Sequence, residues 1–266
     1  MSAAHPLFSK TELAELKRAK SLLENPGLAA RLAATLGAPI ERGMTMLPRS
    51  VQSTVHKASE AAMMKALDVA VKSLDGGGVP GRTSKDRSHK FSAAASGAVG
   101  GAFGLLALGI ELPVSTSIIL RSIADIAKSE GENIQHIETK LACLTVFALG
   151  GRGKGDDAAE SGYFAARMAM AGAVSEATKY LAEKGLGKAG APALIRLTSL
   201  IASRFGIVVS EKAAAQMIPI LGAASDALIN TLFIENCQNT ARGHFTVRRL
   251  EKIHDAEPVR LAYQSL

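Results

Sequence analysis

The 266-residue chain predicts an all-α fold, a multi-helix bundle containing a Gly/Ala-rich apolar helical hairpin, on three observations. Apolar residues recur at three- and four-residue spacing along most of its length. No convincing run of alternating apolar and polar residues interrupts them. Tryptophan is absent, aromatic residues make up only 4%, and glycine (25 residues) and alanine are abundant, so the core is built from small and aliphatic side chains that favour close helix packing. The length suits one ordinary domain, or one domain with an extension, and is enough to bury a sizeable core.

The first helix is predicted from about Lys10 to Glu24, because Ser9 and Glu12 have capping-box spacing and Asn25, Pro26 and Gly27 stop it. A short alanine-rich helix follows as far as Gly37. Beyond Pro48, Val51, Val55, Met63, Leu67, Ala70 and Leu74 lie at helical spacing, and the pattern ends in the loop Asp75–Lys90. That loop mixes Gly and Pro with Arg82, Lys85, Arg87 and Lys90 against only Asp75 and Asp86, and reads as basic. Further helices are predicted from Pro113 to about Lys128, from Glu138 to Gly150 and from Asp157 to about Lys184. In the last of these, Tyr163, Met170, Val174, Ala177 and Leu181 share one stripe. Pro192 opens a helix ending near Gly206, another runs from about Val208 to Ile218, and Pro219 starts a long one that passes Arg242. The uncharged run Ala213–Ser225 is too short for a span and reads as core.

The most unusual stretch is Ser92–Ile110, uncharged between Lys90 and Glu111. It is close to the length of a membrane span and carries two overlapping GxxxG spacings, Gly97 with Gly101 and Gly100 with Gly104, together with Phe103, Leu105 and Leu106. Its many glycines lower helix propensity and add little apolar area, which makes insertion marginal. The apolar piece that starts at Leu112 and Pro113 implies a hairpin with Glu111 at its tip. Three readings stay open: a buried helix pair of a soluble core, a reversible membrane-contacting element, and a constitutive span.

The formal charge of +7 favours acidic partners, either anionic lipid surfaces or nucleic acid. Nucleic acid ranks last, because the basic residues are scattered and no recognised module is present. Cys143 and Cys237 lie in apolar helical segments without metal-ligand spacing and read as free buried thiols of a reducing cytosol. The N-terminus turns polar within ten residues, so no secretory leader is expected. No metal or cofactor is implied by any motif, since GGRGKG from Gly150 lacks P-loop spacing. Arg121, Asp125 and Lys128 form a polar face opposite Ile119, Ile123 and Ile126. Asp226 and Asn230 share a helical face from which they could meet Arg121 or Arg204 in a polar cluster. His244, flanked by Arg242, Arg248, Arg249 and Lys252, is a weak candidate for a catalytic base and reads instead as a helix-end or surface histidine. Its basic neighbours form a phosphate- or lipid-facing patch or an ordinary solvated face.

Several segments in order resemble the EcsC family of bacterial proteins: SGAVGGAFG, ELPVSTSIILRSIADIAKSEGENI, ETKLACLTVFALGG, SGYFAAR, ASRFGIVVSEKAAAQMIPILGAASDALINTLFIENCQ and ARGHFTVRRLE. On that resemblance residues 1–46 form an N-terminal helical extension, 47–255 the EcsC-like domain and 256–266 a C-terminal tail. The resemblance carries over no catalytic residue. It makes Arg121, Asp125, Arg204, Asn230, His244 and Phe245 candidate interaction or core positions, and it implies a place near an ABC transporter. The expected function is a cytoplasmic, non-enzymatic protein held peripherally at the inner face of the membrane by anionic lipid or a membrane protein. The alternatives are a membrane-proximal hydrolase of lipid or peptide and a soluble scaffold.

Overall fold

The computed structural model describes residues 7–24, 27–37, 40–73, 108–150, 162–185, 191–216 and 222–266. Ten helices and no strand occur among these residues: α1 (Lys10–Glu24), α2 (Leu28–Leu36), α3 (Ile40–Thr45), α4 (Arg49–Ser73), α5 (Leu108–Ser129), α6 (Ile137–Leu149), α7 (Gly162–Lys184), α8 (Pro192–Gln216), α9 (Gly222–His254) and α10 (Ala256–Ser265). The hairpin residues Gly97, Gly100, Gly101, Phe103, Gly104, Leu105 and Leu106 lie outside the described residues. So do Arg82, Lys85, Arg87 and Lys90 of the basic loop, and Pro219.

Local chemistry sets the ends of several helices. At the start of α1 the backbone N–H and the hydroxyl of Ser9 donate to Glu12 Oε2 at 2.8 and 2.7 Å, and the Glu12 N–H returns a bond to Ser9 Oγ at 3.2 Å. This is the capping box expected from the spacing. Helix α2 stops at Gly37, whose φ of 66° is the left-handed conformation glycine adopts without strain. Helix α5 ends in a Schellman motif: Glu132 N–H reaches Ala127 O at 3.0 Å and Gly131 N–H reaches Lys128 O at 3.1 Å, with Gly131 at φ 87°. That turn presents Glu130 and Glu132 to the end of α9.

The core is centred on α6 and α8. Helix α6 is buried from Thr139 to Leu149, which explains a sequence apolar on all sides. Helix α8 packs against α3, α4, α6 and α7 and buries Leu194, Leu197, Ile201, Phe205, Val208 and Val209. Phe205 meets Phe147 edge-on, with ring centroids 5.1 Å apart. Among the described helices, α8 alone is long and apolar enough to cross a membrane by length and composition. Helix α4 packs on α5 and α8, and α9 runs along α1, α2, α5, α6 and α8. Both cysteines are free and buried, and burial pushes the Cys237 thiol up to about 12.

Three boundaries differ from expectation. Helix α8 is unbroken through Gly206, so the two predicted pieces are one helix. An interior glycine costs about 1 kcal/mol of helix propensity, while each buried Leu, Phe or Val beside it contributes about 1.5–3 kcal/mol. Helix α5 begins at Leu108 and passes through Pro113, which places Glu111 in its first turn. Lys212 on α8 anchors that turn: its Nζ donates to Glu111 Oε1 at 2.8 Å, with side chains only 1% and 8% exposed. Residues 256–265, set apart above as a tail, form α10. Asp255, at φ 65°, joins it to α9, and Val259, Ala262 and Tyr263 are buried.

Glu111→Ala should cost about 3–5 kcal/mol in urea unfolding, because it strands the buried Lys212 charge. Replacing both partners by Glu111→Leu and Lys212→Met should recover most of the loss. Gly243→Ala tests the seam between α1 and α9. A Cβ there would stand 2.6 Å from Leu23 Cγ and 3.0 Å from the Ala19 carbonyl oxygen. Overpacking of about 1–3 kcal/mol should outweigh the gain in helix propensity and lower stability in the same titration.

Candidate functional site

His244 lies within α9 and is buried, with 3% of its surface exposed, where the sequence predicts a helix-end or surface residue. Its partners come from α7. Tyr163 and Arg167 are four residues apart and so project from one face of that helix. The Tyr163 hydroxyl is 2.9 Å from His244 Nδ1, and Arg167 Nη1 donates to the same hydroxyl oxygen at 3.2 Å. Arg167 then grips Glu251, one turn pair further along α9, through two parallel bonds of 2.7 and 2.9 Å. This fork-to-fork geometry is the strong form of a guanidinium–carboxylate pair. Tyr163 stacks on Tyr263 of α10 with centroids 5.8 Å apart, and the Arg167 guanidinium sits 5.4 Å from the Tyr163 ring centre.

Hydrogen-bond accounting assigns the histidine tautomer. Arg167 fills a lone pair of the phenol oxygen, which leaves the phenol hydrogen for His244 Nδ1 and the ring proton on Nε2. Burial, reinforced by the charges of Arg167 and Arg248, holds His244 well below the usual 6.5 and keeps it neutral at pH 7. Burial also raises the Tyr163 phenol above its ordinary value. Burial opposes the charge on Arg167, but Tyr163 and Glu251 outweigh it and raise its pKa. His244 is therefore a neutral N–H donor. Its Nε2 is buried and has no protein partner.

A second cluster adjoins the first. Glu132, at the Schellman end of α5, accepts from Arg248 Nε and Lys252 Nζ at 2.9 Å each and from Thr139 Oγ1 at 3.0 Å. Burial would raise its pKa, but the bonds from Arg248 and Lys252 win and hold it below the usual 4.5. Arg249 bonds Glu130 at 2.9 Å and Glu15 at 3.1 Å, and Arg242 donates to Asn239 at 2.9 Å. The C-terminal basic residues predicted to face phosphate or lipid are thus matched by carboxylates and an amide within the fold.

Helices α6, α7 and α9 leave an open cleft of about 570 Å³ between them. Helix α6 supplies Glu138, Ala142 and Thr145, α7 a stripe from Arg167 through Met170 and Val174 to Thr178, and α9 supplies His244 and Arg248. The Thr145 and Thr178 hydroxyl hydrogens are engaged by the carbonyls of Ala142 and Val174, both at 2.9 Å, which leaves their oxygens as acceptors. Among the described residues, no group of three or more His, Cys, Asp or Glu is placed to hold a metal.

The other sequence candidates are dispersed. Arg121 is exposed and Asp125 half-buried on α5, Arg204 Nε donates to the Ala148 carbonyl at 3.0 Å, and Asn230 is buried. Asp226 falls in the first turns of α9, and its side chain lies outside the described set. Sequence reasoning missed Arg167, Glu251, Glu132 and Glu130, and it placed Tyr163 in an apolar stripe. The four-residue step from Tyr163 to Arg167 was the available signal. The partner helix lies 81 residues away along the chain and carries no local mark.

Because the folded pKa of His244 lies below its unfolded value, its contribution to stability is fully present above about pH 6.5 and is lost as the pH falls below that value. Unfolding free energy should therefore drop by up to about 1.4 kcal/mol per pH unit below about 6.5. His244→Gln should flatten that part of the profile in urea titrations across the range. An unchanged slope would assign the titration to other groups.

The chain matches the EcsC protein family over residues 80–250. That range holds Tyr163, Arg167, His244 and Arg248, and stops one residue short of Glu251. It is narrower than the 47–255 domain that the sequence resemblance implies and leaves α1 to α4 and α10 outside. No curated protein and no solved structure gives a significant match. The ordered segments of the sequence and this match over most of the chain agree, and the protein belongs to the EcsC family.

Proposed function

We propose that the protein is a non-enzymatic helical protein held peripherally at the inner face of the cytoplasmic membrane. In this reading it binds anionic lipid or a membrane protein, with an ABC transporter the partner that the family resemblance favours. The observation that carries the proposal is the uncharged run Ser92–Ile110, directly preceded by Arg82, Lys85, Arg87 and Lys90. A basic segment beside an apolar one combines the two forces that hold peripheral proteins on anionic bilayers. Two structural facts support it. The run leads straight into α5, whose first turn is tied to the bundle by the buried Glu111–Lys212 pair, so a load on the run would reach the body of the protein. Arg248 and Arg249 are already paired with carboxylates, which leaves electrostatic attachment to the Arg82–Lys90 segment and the overall charge of +7. The non-enzymatic part of the reading rests on His244, which is built as a neutral donor, whereas a general base requires a free acceptor nitrogen near its working pH.

Flotation with phosphatidylglycerol-containing and pure phosphatidylcholine vesicles tests this. The protein should float only with the anionic vesicles, and high salt or alkali should release it. Each basic residue near the surface contributes about 1 kcal/mol, so reversing Arg82, Lys85, Arg87 and Lys90 to Glu should abolish flotation. Binding that survives alkali would mean that the run inserts. Flotation unaffected by the four reversals would remove the loop from the mechanism.

A further inference from the structure

Helix α1 crosses α9 at a point where two cations stand together. The helices run antiparallel, since Glu12 pairs with His254 at 2.8 Å and Glu15 with Arg249 at 3.1 Å, and beyond them Ala19 and Leu23 close on Gly243. A Cβ on Gly243 would come within 3.0 Å of the Ala19 carbonyl oxygen, so the two backbones nearly touch there. Arg18 directly precedes Ala19, and Arg242 directly precedes Gly243. Arg18 is exposed, whereas Arg242 is half-buried and donates to Asn239, a neutral group, at 2.9 Å. Burial first, and then the like charge of Arg18, hold the Arg242 guanidinium below its ordinary value, so the two cations are within electrostatic reach of each other. The acids of α1 that precede Arg18 are turned to other cations, Glu12 to His254 and Glu15 to Arg249. Like charges that the fold holds together raise each other's energy, and an anion seated between them replaces that repulsion by attraction on both sides. A phosphate group carries oxygens on more than one side, so it can meet two guanidiniums that approach from different helices, and the planar arginine fork suits it.

We propose that Arg18 and Arg242 together bind a phosphate group where α1 crosses α9, the phosphate of a soluble phosphomonoester or of a lipid headgroup. Arg242 is the fixed half of the clamp, because Asn239 orients its fork. Arg18 is the half that closes from the solvent side. The bound group ties α1, which lies outside the family match, to Arg242, which lies within it. None of Arg82, Lys85, Arg87 and Lys90 takes part, so failure of this site and failure of the membrane attachment proposed above show in different variants.

Thermal unfolding of the full-length protein in sodium phosphate and in sodium chloride of matched ionic strength tests the clamp. Low millimolar phosphate serves as the probe, because exclusion of the salt from the protein surface is small there. An anion bound only by the folded state should raise Tm with concentration until the site fills. Arg18→Gln, at an exposed position that leaves the packing intact, should abolish that rise. In chloride alone its Tm should equal or exceed that of the unaltered chain, because a repulsion has gone. Lys17→Gln removes the same charge from the neighbouring exposed position and should keep the rise. No rise in the unaltered chain, a rise undiminished in Arg18→Gln, or one lost equally in Lys17→Gln would overturn the clamp, the last by reducing it to general charge attraction. Given the expected rise, flotation with vesicles containing phosphatidic acid names the source. Flotation weakened by Arg18→Gln and not by Lys17→Gln would support a lipid headgroup as the occupant, and flotation that Arg18→Gln leaves as it was would support a soluble phosphomonoester.

Discussion

A single helix carries polar groups through the interior of this bundle, and several of them meet their partners on different helices. Along α9, Glu235 is met by Arg31 of α2, Gln238 by Ser122 of α5, His244 by Tyr163 of α7 and Arg248 by Glu132 beyond α5. Arg249 and His254 are met by Glu15 and Glu12 of α1. Apolar packing among alanines and leucines tolerates small slides, because dispersion and burial are not directional. A buried hydrogen bond does not, because a slide of one residue leaves both ends desolvated and unmatched. The polar row on α9 therefore sets the register of α2, α5 and α7 against it, and the small-residue core fills the space so defined.

The same constraint decides what was legible in the sequence. Features fixed by neighbours a few residues apart were readable: the Ser9–Glu12 box, the stop at Gly37, the Tyr163–Leu181 stripe and the burial of both cysteines. Local punctuation misled where tertiary contacts override it. Gly206 and Pro113 look like breaks, yet α8 and α5 run through them because buried side chains on either side outweigh the propensity cost. His244 misled in the opposite sense. Its flanking arginines and lysine resemble a solvated end, but Arg248, Arg249 and Lys252 are drawn to Glu130 and Glu132 across 116 to 119 residues of sequence for the two arginines. No spacing rule links residues so far apart, so the pairing that turns a basic face inward cannot be read from the chain alone.

Charge burial also shapes the two ends of the bundle differently. At the α1 end the pairs are shallow: Glu12 is pulled from 4.5 to about 2 by hydrogen bonds from His254 and from Ser9 at the cap. Solvent screens such a pair, and its main effect is to fix the start of α1 against the end of α9. Lys212 and Glu111 are almost wholly removed from water, and there the desolvation of two ions nearly cancels their attraction. The net gain of that pair lies in specificity, because any packing that separates α8 from the first turn of α5 strands a charge.

Not every polar group on α9 is satisfied within the protein. The amide nitrogens of Asn230 and Asn236 and His244 Nε2 are buried without protein partners. A buried water, with its two to four bonds, is the ordinary remedy where room exists. His244 differs from the two asparagines in its setting: among these three residues, it lines the cleft between α6, α7 and α9. The ring is also held more firmly than satisfaction of one nitrogen requires, through Tyr163, then Arg167, then both oxygens of Glu251. A network that fixes one tautomer and aligns a guanidinium also locks α7 against α9, because any slide between the two helices would break several buried bonds at once.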